Sequence, residues 1–268
     1  MSIYKKLNNR EWLYQKYVVE KLSTIAITKL AGAKTPNSAR QALIKQGISL
    51  RNISDGLTCK RQDDHFKLNI DVINGCLLGD GFLRKWNPKS DQSYPFFSKR
   101  NIHKDHIDYV AKILFGKNFE NRTKKSREID VYGNPLDIFC LRSYSYKELL
   151  TIYQKWYPEA NDYKKIIPYD LEVTGKVLLH WFLDDGNSYV RKGRPTKQVC
   201  IVFCSESFTR EDQELVSEKI WQKFGIKSSV RKTQWGTGWR TFIHQKYAGL
   251  FYEVIGHPPV ASLAYKWK

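Results

Sequence analysis

Two stretches of this chain place acids where acids are costly. Ile73-Asn74-Gly75-Cys76-Leu77-Leu78-Gly79-Asp80-Gly81 and Leu178-Leu179-His180-Trp181-Phe182-Leu183-Asp184-Asp185-Gly186 are each an apolar, helix-length run that closes on Asp-Gly. Asp80 and Asp185 stand 105 residues apart, so the repetition marks two halves of one fold. A carboxylate at the end of a buried helix is unfavourable unless something positive meets it. Two such carboxylates brought together would make a metal site. Other ligand-type residues read as structural. His103 and His106 have ligand-like spacing but fall in an amphipathic helical pattern. Cys200 and Cys204 sit in a strand-like apolar run with no second ligand pair, as buried small hydrophobes do.

The elements that must carry the acids repeat with them. After Asp80 come the basic, aromatic stretch Phe82 to Trp86, a strand from Tyr94 to Arg100 and a helix from His103 to Phe115. After Asp185 come Ser188 to Lys192, a strand from Val199 to Ser205 and a helix from Thr209 to Phe224. Phe97, Ile102 and Val110 pair with Phe203, Phe208 and Val216, each 106 positions on. Thr209 reads as an N-cap, with Glu211 and Asp212 in the first turn where the helix dipole favours acids. Further strands are expected at Ile129 to Tyr132 and Ile138 to Leu141 in one half. In the other they are Ser228 to Thr233 and Trp239 to His244, joined by the hairpin signal Gly236-Thr237-Gly238. Helices at Tyr146 to Trp156 and Tyr247 to Ile255 close the halves. The fold class is therefore α+β, with two pseudo-symmetric αββαββα halves at 66–170 and 171–268. A small all-α domain and its linker precede them at 1–65.

Charge points to the partner. Among 268 residues, 45 Lys plus Arg face 27 Asp plus Glu, a net +18. Such an excess implies a polyanion. Residues 1–68 hold 13 basic and 5 acidic residues, so the excess is shared between both parts of the chain. Arg84, Lys85, Lys99, Arg100, Lys192, Arg194, Lys197, Arg231, Lys232 and Arg240 lie in or beside the strands, interleaved with Trp86, Trp235 and Trp239. Strand alternation would turn one side of these strands outward, where Lys and Arg could neutralise the phosphates of a duplex. A membrane partner is not expected. The apolar run near Val177 to Leu183 is broken by His180 and falls short of the roughly 20 residues a span needs. The start of the chain lacks a signal-peptide core, and five cysteines without framework spacing favour a reducing, intracellular setting.

Together the two motifs resemble the LAGLIDADG homing endonucleases, in the single-chain branch that carries both motifs. The resemblance covers about residues 70–268 and extends to Lys164-Lys165-Ile166-Ile167-Pro168, to Glu206-Ser207-Phe208-Thr209 and to Ala264-Tyr265-Lys266. It implies two motif helices packed side by side, with Asp80 and Asp185 at the base of a DNA-binding saddle. Each acid would bind Mg²⁺, a hard cation suited to oxygen ligands, assisted by the carbonyls of Gly79 and Asp184. Mn²⁺ is expected to substitute, and Ca²⁺ to bind without efficient cleavage. Lys165 and Lys266 would stabilise the pentavalent phosphate or hold the solvent network. The implied activity is double-strand cleavage by a monomer at a long, rare site. This sequence departs from symmetry at His180 and Asp184, which stand where the first copy has Gly75 and Gly79. Asp185 rather than Asp184 matches Asp80 by alignment. Large residues are expected to fill the space left by small ones.

Residues 1–65 lie outside the resemblance. Glu11 to Leu22 reads as a helix, and Ser23 to Ala31 as another ended by Gly32. Thr35-Pro36 supplies an N-cap and N1 proline for a helix that stops at Gly47. This arrangement resembles bacterial and phage helix-turn-helix modules, with Asn37, Ser38, Arg40 and Gln41 facing the major groove. Ser54 to Asp64 reads as the linker. A bacterial or phage-host cytoplasm, or an organelle, is the expected location. Two rival readings use the same fold: an intron maturase bound to intron RNA, and a transcription regulator, which retention of both acids disfavours.

Overall fold

A computed structural model describes residues 6–33, 35–51, 66–91, 93–191, 198–233, 236 and 238–268. Lys192, Arg194, Lys197, Trp235, Thr237 and the linker from Ser54 to Asp64 lie outside the described residues. The chain falls into two compact units divided at residue 64, with residues 89–94 belonging to the first.

The small unit is helical. Helix α1 (Arg10–Tyr14) is shorter than the expected Glu11 to Leu22 and runs into a π-helical turn at Gln15–Val19. Arg51 secures that turn. Its guanidinium donates to the carbonyls of Tyr17 and Leu22 at 2.6 and 2.7 Å and lies 3.8 Å above the Tyr17 ring. Helix α2 (Thr24–Ala31) starts where Ser23 Oγ accepts the Ala26 N–H, and it ends at Gly32 with φ +73. Helix α3 (Pro36–Lys45) follows after a short turn. Leu13, Tyr17, Ile27, Ala31, Ala39, Leu43 and Ile48 form this unit's own core.

In the large unit, helix α4 (Ile70–Leu78) carries the first motif and helix α7 (Gly175–Asp184) the second. Each starts on a side-chain cap, Asn69 accepting from the Val72 N–H and Thr174 from the Val177 N–H. The first half adds β1 (Phe82–Arg84), β2 (Phe96–Asn101), α5 (Lys104–Phe115), β3 (Thr123–Ile129), β4 (Pro135–Ser145) and α6 (Leu150–Trp156). The second adds β5 (Gly186–Val190), β6 (Val199–Phe203), α8 (Arg210–Phe224), β7 (Ser228–Lys232), β8 (Trp239–Ile243) and α9 (Ala248–Ile255). The sheets run β1-β2-β4-β3 and β5-β6-β8-β7, antiparallel throughout. The order expected from the repeat is the order found.

One core joins the halves: Ile73, Leu77, Phe97, Val110 and Trp156 from the first meet Leu178, Trp181, Phe203, Val216 and Phe251 from the second. Each large apolar side chain so buried contributes about 1.5–3 kcal/mol. One expected strand is misplaced. Residues 130–133 form the β3–β4 turn, where the Asp130 carboxylate accepts the N–H groups of Tyr132 and Asn134 at 2.9 and 2.8 Å. The strand precedes it, in Lys124, Lys125 and Arg127. This edge strand is exposed along most of its length, so it carries no hydrophobic alternation to read.

Candidate active site

The site begins with a close approach of two helices. A Cβ on Gly75 would stand 2.6 Å from the Val177 carbonyl and from His180 Cβ. One on Gly79 would stand 2.4 Å from Asp184 Cβ. The small residues of α4 therefore receive the large residues of α7, which is why the two motifs differ at these positions. This packing carries the ends of both helices, and the acids on them, to one place.

There the acids take three different settings. Asp80 is exposed to solvent. Asp185 is partly buried, and its Oδ2 accepts the Ser205 hydroxyl at 2.5 Å. Ser205 in turn accepts the Trp181 indole N–H at 2.8 Å, which leaves its own proton for the carboxylate. Burial pushes the Asp185 carboxyl up to about 7, and the charges of Asp184 and Asp80 add to that rise. The Asp184 side chain is fully buried in an ion pair with Lys99, with His106 Nε2 at 3.6 Å. Burial pushes Asp184 up to about 6 while Lys99 opposes the rise. Burial and the neighbouring Lys99 charge hold His106 well below its usual range, and neither of its ring nitrogens has a hydrogen-bond partner. It is a fully buried ring on α5, inside the helix expected from its pattern.

The two lysines behave as a symmetric pair. Lys165 Nζ donates to the carbonyls of Leu77, Gly79 and Gly81 at 2.9, 3.2 and 3.3 Å. Lys266 Nζ donates to those of Phe182, Leu183 and Asp184 at 3.1, 2.7 and 3.0 Å. Each ammonium thus satisfies orphan carbonyls at a helix C-terminus, where the dipole also favours a cation. All three donors of each are engaged, so direct contact with a phosphate would require giving up a carbonyl. Burial lowers both lysines from their usual range, and the three nearby carboxylates resist that fall. Lys165 is held by the chain beyond α6, where Ile166 N–H donates to the Trp156 carbonyl and Ile167 N–H to Asp212. Lys266 is held by the C-terminal turn Ala261–Lys266, which Ser262 anchors to the Asp105 carboxylate of the first half.

The basic residues separate. Arg84, Arg100, Arg231 and Lys232 are exposed, and Arg240 is half-exposed and paired with Glu206. Lys99 and Lys85 do not face outward as expected. Lys99 falls two residues from the core residue Phe97 and Lys85 two from Leu83, so alternation turns both inward. Lys85 Nζ donates to the Pro88 carbonyl. In their place Arg142 joins the outer face of the first sheet, over the rings of Trp86 and Phe96. On the second sheet a cavity of about 320 Å³ is lined by Tyr189, Arg191, Arg231, Phe242 and Gln245. In the small unit, Asn37, Arg40 and Gln41 are exposed on α3, while Ser38 is half-buried and bonded to Thr35.

Sequence reasoning missed Ser205, Lys99 and Trp181 as members of the site. The signal was present, since the 106-residue offset that pairs Phe97 with Phe203 also pairs Lys99 with Ser205. Among the described residues, no three His, Cys, Asp or Glu side chains converge as a cation cage. The donors fit a hard divalent cation nonetheless. Asp80 and Asp185 offer oxygen, their charges oppose each other, and Mg²⁺ completes its shell with water and phosphate oxygens.

Solved structures place this architecture. The homing endonuclease I-WcaI bound to its DNA recognition sequence aligns with a TM-score of 0.61 at 20% identity, covering 74% of this chain and 84% of that one. I-DmoI in complex with DNA and Mn aligns at 0.38 and 16% identity, covering 71% and 100%. The N-terminal LAGLIDADG domain of DUF199/WhiA aligns at 0.37 and 15% identity, covering 79% and 96%. The first likeness shows the fold, and the other two are too loose to carry an argument. No protein of curated function matches the chain. Residues 70–250 match the model of the LAGLIDADG DNA endonuclease family, and with both motifs, both sheets and both helix-end lysines inside or beside that span, the chain belongs to that family.

Proposed function

We propose that this protein is a site-specific endonuclease that cuts both strands of a long, rare DNA target using Mg²⁺ or Mn²⁺. The observation that carries the reading is the pair of acids at the ends of two interlocked helices. Asp80 is exposed, and Asp185 is pushed up to about 7 by burial and by the other two carboxylates. Such a concentration of negative charge favours a cation. Asp80 and Asp185 would hold it, with Asp184 withdrawn into its ion pair. Bound there, a hard divalent cation supplies an activated water and neutralises charge developing on the phosphate. Lys165 and Lys266 fix the helix ends and offset the carboxylate charge.

Duplex DNA as partner is supported by the family, by the net charge of +18 and by the exposed Arg84, Arg100, Arg142, Arg231 and Lys232 beside the sheets. Exposed Asn37, Arg40 and Gln41 on α3 support a second region of binding, with Ser38 reduced to a local hydrogen bond. The unequal motifs favour unequal half-sites, so the target is not a perfect palindrome. The single chain supplies both acids and acts as a monomer. The test is incubation with Mg²⁺ and a large randomised duplex library, followed by sequencing of the cut ends. One recovered sequence family with a fixed offset between the two nicks is expected. Binding without cutting in Mg²⁺ or Mn²⁺ would overturn the reading.

A further inference from the structure

Asp80 and Asp185 are not held alike. The Asp185 N–H stays in its helix, donating to the Trp181 carbonyl at 3.0 Å, and its carboxylate is fixed by Ser205. Helix α4 stops earlier. Gly79 and Gly81 both turn their N–H groups back to the Cys76 carbonyl, at 3.1 and 2.7 Å. The Asp80 N–H leaves the ladder and donates to Asp184 Oδ2 at 3.3 Å. The other oxygen of Asp184 takes the Lys99 ammonium, and both side chains are fully buried. Lys99 belongs to the first half and Asp184 to the second. Asp184 stands where the first motif has Gly79, and Lys99 where the second half has Ser205. The pair therefore has no counterpart across the pseudo-symmetry.

A buried ion pair is a weak source of stability, because desolvation of both charges offsets their attraction. Its geometry suggests another use. We infer that Asp184, neutralised by Lys99, is a positioning residue that sets Asp80 across the helix interface, so that the strand served by Asp80 depends on this pair and the other strand does not. The inference rests on the endonuclease reading for its kinetic consequence but not for its structural one. Misplacing a reacting group by about 1 Å can cost as much as 10²-fold. The effect should fall on one nick.

Two double variants form a matched test. Lys99→Met with Asp184→Asn keeps an oxygen acceptor for the Asp80 N–H without burying a charge. Lys99→Met with Asp184→Ala removes the acceptor. Exchanging the charges for apolar or neutral groups of similar size is compatible with folding. In the Ala variant the Asp80 amide should exchange with solvent about tenfold faster or more, with Asp185 unchanged. On the target recovered from the library, one strand should be cut about tenfold more slowly or worse, with nicked product accumulating. The Asn variant should restore most of both. Unchanged Asp80 exchange, equal slowing of both strands, or failure of Asn to rescue would each overturn the inference. If wild-type protein cuts no DNA, the endonuclease reading fails, and amide exchange still decides the positioning claim.

Discussion

The two halves share a backbone plan and differ where they touch. Sheet order, helix order and the 106-residue offset all repeat. So do the lysines, each donating to three carbonyls at the end of a motif helix. The carboxylates do not. Asp80 lies in solvent beyond a helix that stops one residue sooner than its counterpart, while Asp185 is partly buried under Ser205. The difference shows which features a duplicated fold must keep. Helix ends need their carbonyls satisfied in both halves. The packing surface between halves needs complementarity, not identity, so glycine on one side is met by His180 and Asp184 on the other.

The largest test of this contrast removes the acids one at a time. Asp80→Asn and Asp185→Asn should each reduce double-strand cleavage by about 10³-fold or more while target binding persists. Plasmid linearisation read beside a gel shift would show it, and near-normal cutting by either variant would remove that acid from the site. The lysines should then show how far the symmetry extends. Lys266, 5% exposed, should matter more to folding than the less buried Lys165. Lys266→Met should lower unfolding free energy by about 1–3 kcal/mol, and Lys165→Met by less. Denaturant titration measures both, and the reverse order would mean the carbonyl bonds of Lys266 are not what holds its turn.

Acid titration also separates the halves. With divalent ions chelated, a folded-state value of about 7 at Asp185, against an ordinary 3.8, means that the folded protein binds a proton the unfolded chain has released. Stability from this residue is therefore present at low pH and lost as pH rises from about 4 to about 7. Wild-type Tm should fall relative to Asp185→Asn across that window by roughly 10 °C, since a rise from 3.8 to about 7 amounts to about 4 kcal/mol. Parallel curves for the two proteins would contradict the assigned environment of Asp185. The smallest effect is expected outside the duplicated fold. Arg40→Ala with Gln41→Ala on α3 should shorten the protected footprint. The same variant should reduce the slope of log affinity against log salt by about 0.9, because Arg40 no longer neutralises a phosphate. An unchanged footprint and slope would leave the small unit a packing element.

Much was legible in the chain itself. Local signals suffice for motif helices, the N-cap at Thr209 and the turns at Gly32 and Gly47, because each depends on neighbours in sequence. The repeat was visible too, since duplication leaves a fixed offset that requires no coordinates. The β3 strand was not, because an exposed edge has no buried face to impose a pattern. Nor was the inward turn of Lys99. A lysine among core residues reads as a surface charge until its partner is known, and that partner, Asp184, lies 85 residues away on the other half.

The sequence by itself determined that this protein is a duplicated α+β chain of the LAGLIDADG family, with Asp80 at the end of the first motif helix and Asp184 and Asp185 at the end of the second. Tertiary structure alone decided which of the three acids stays open, which is buried, and what holds each. Those outcomes depend on desolvation and on charges brought together from distant segments, and neither quantity exists until the helices pack.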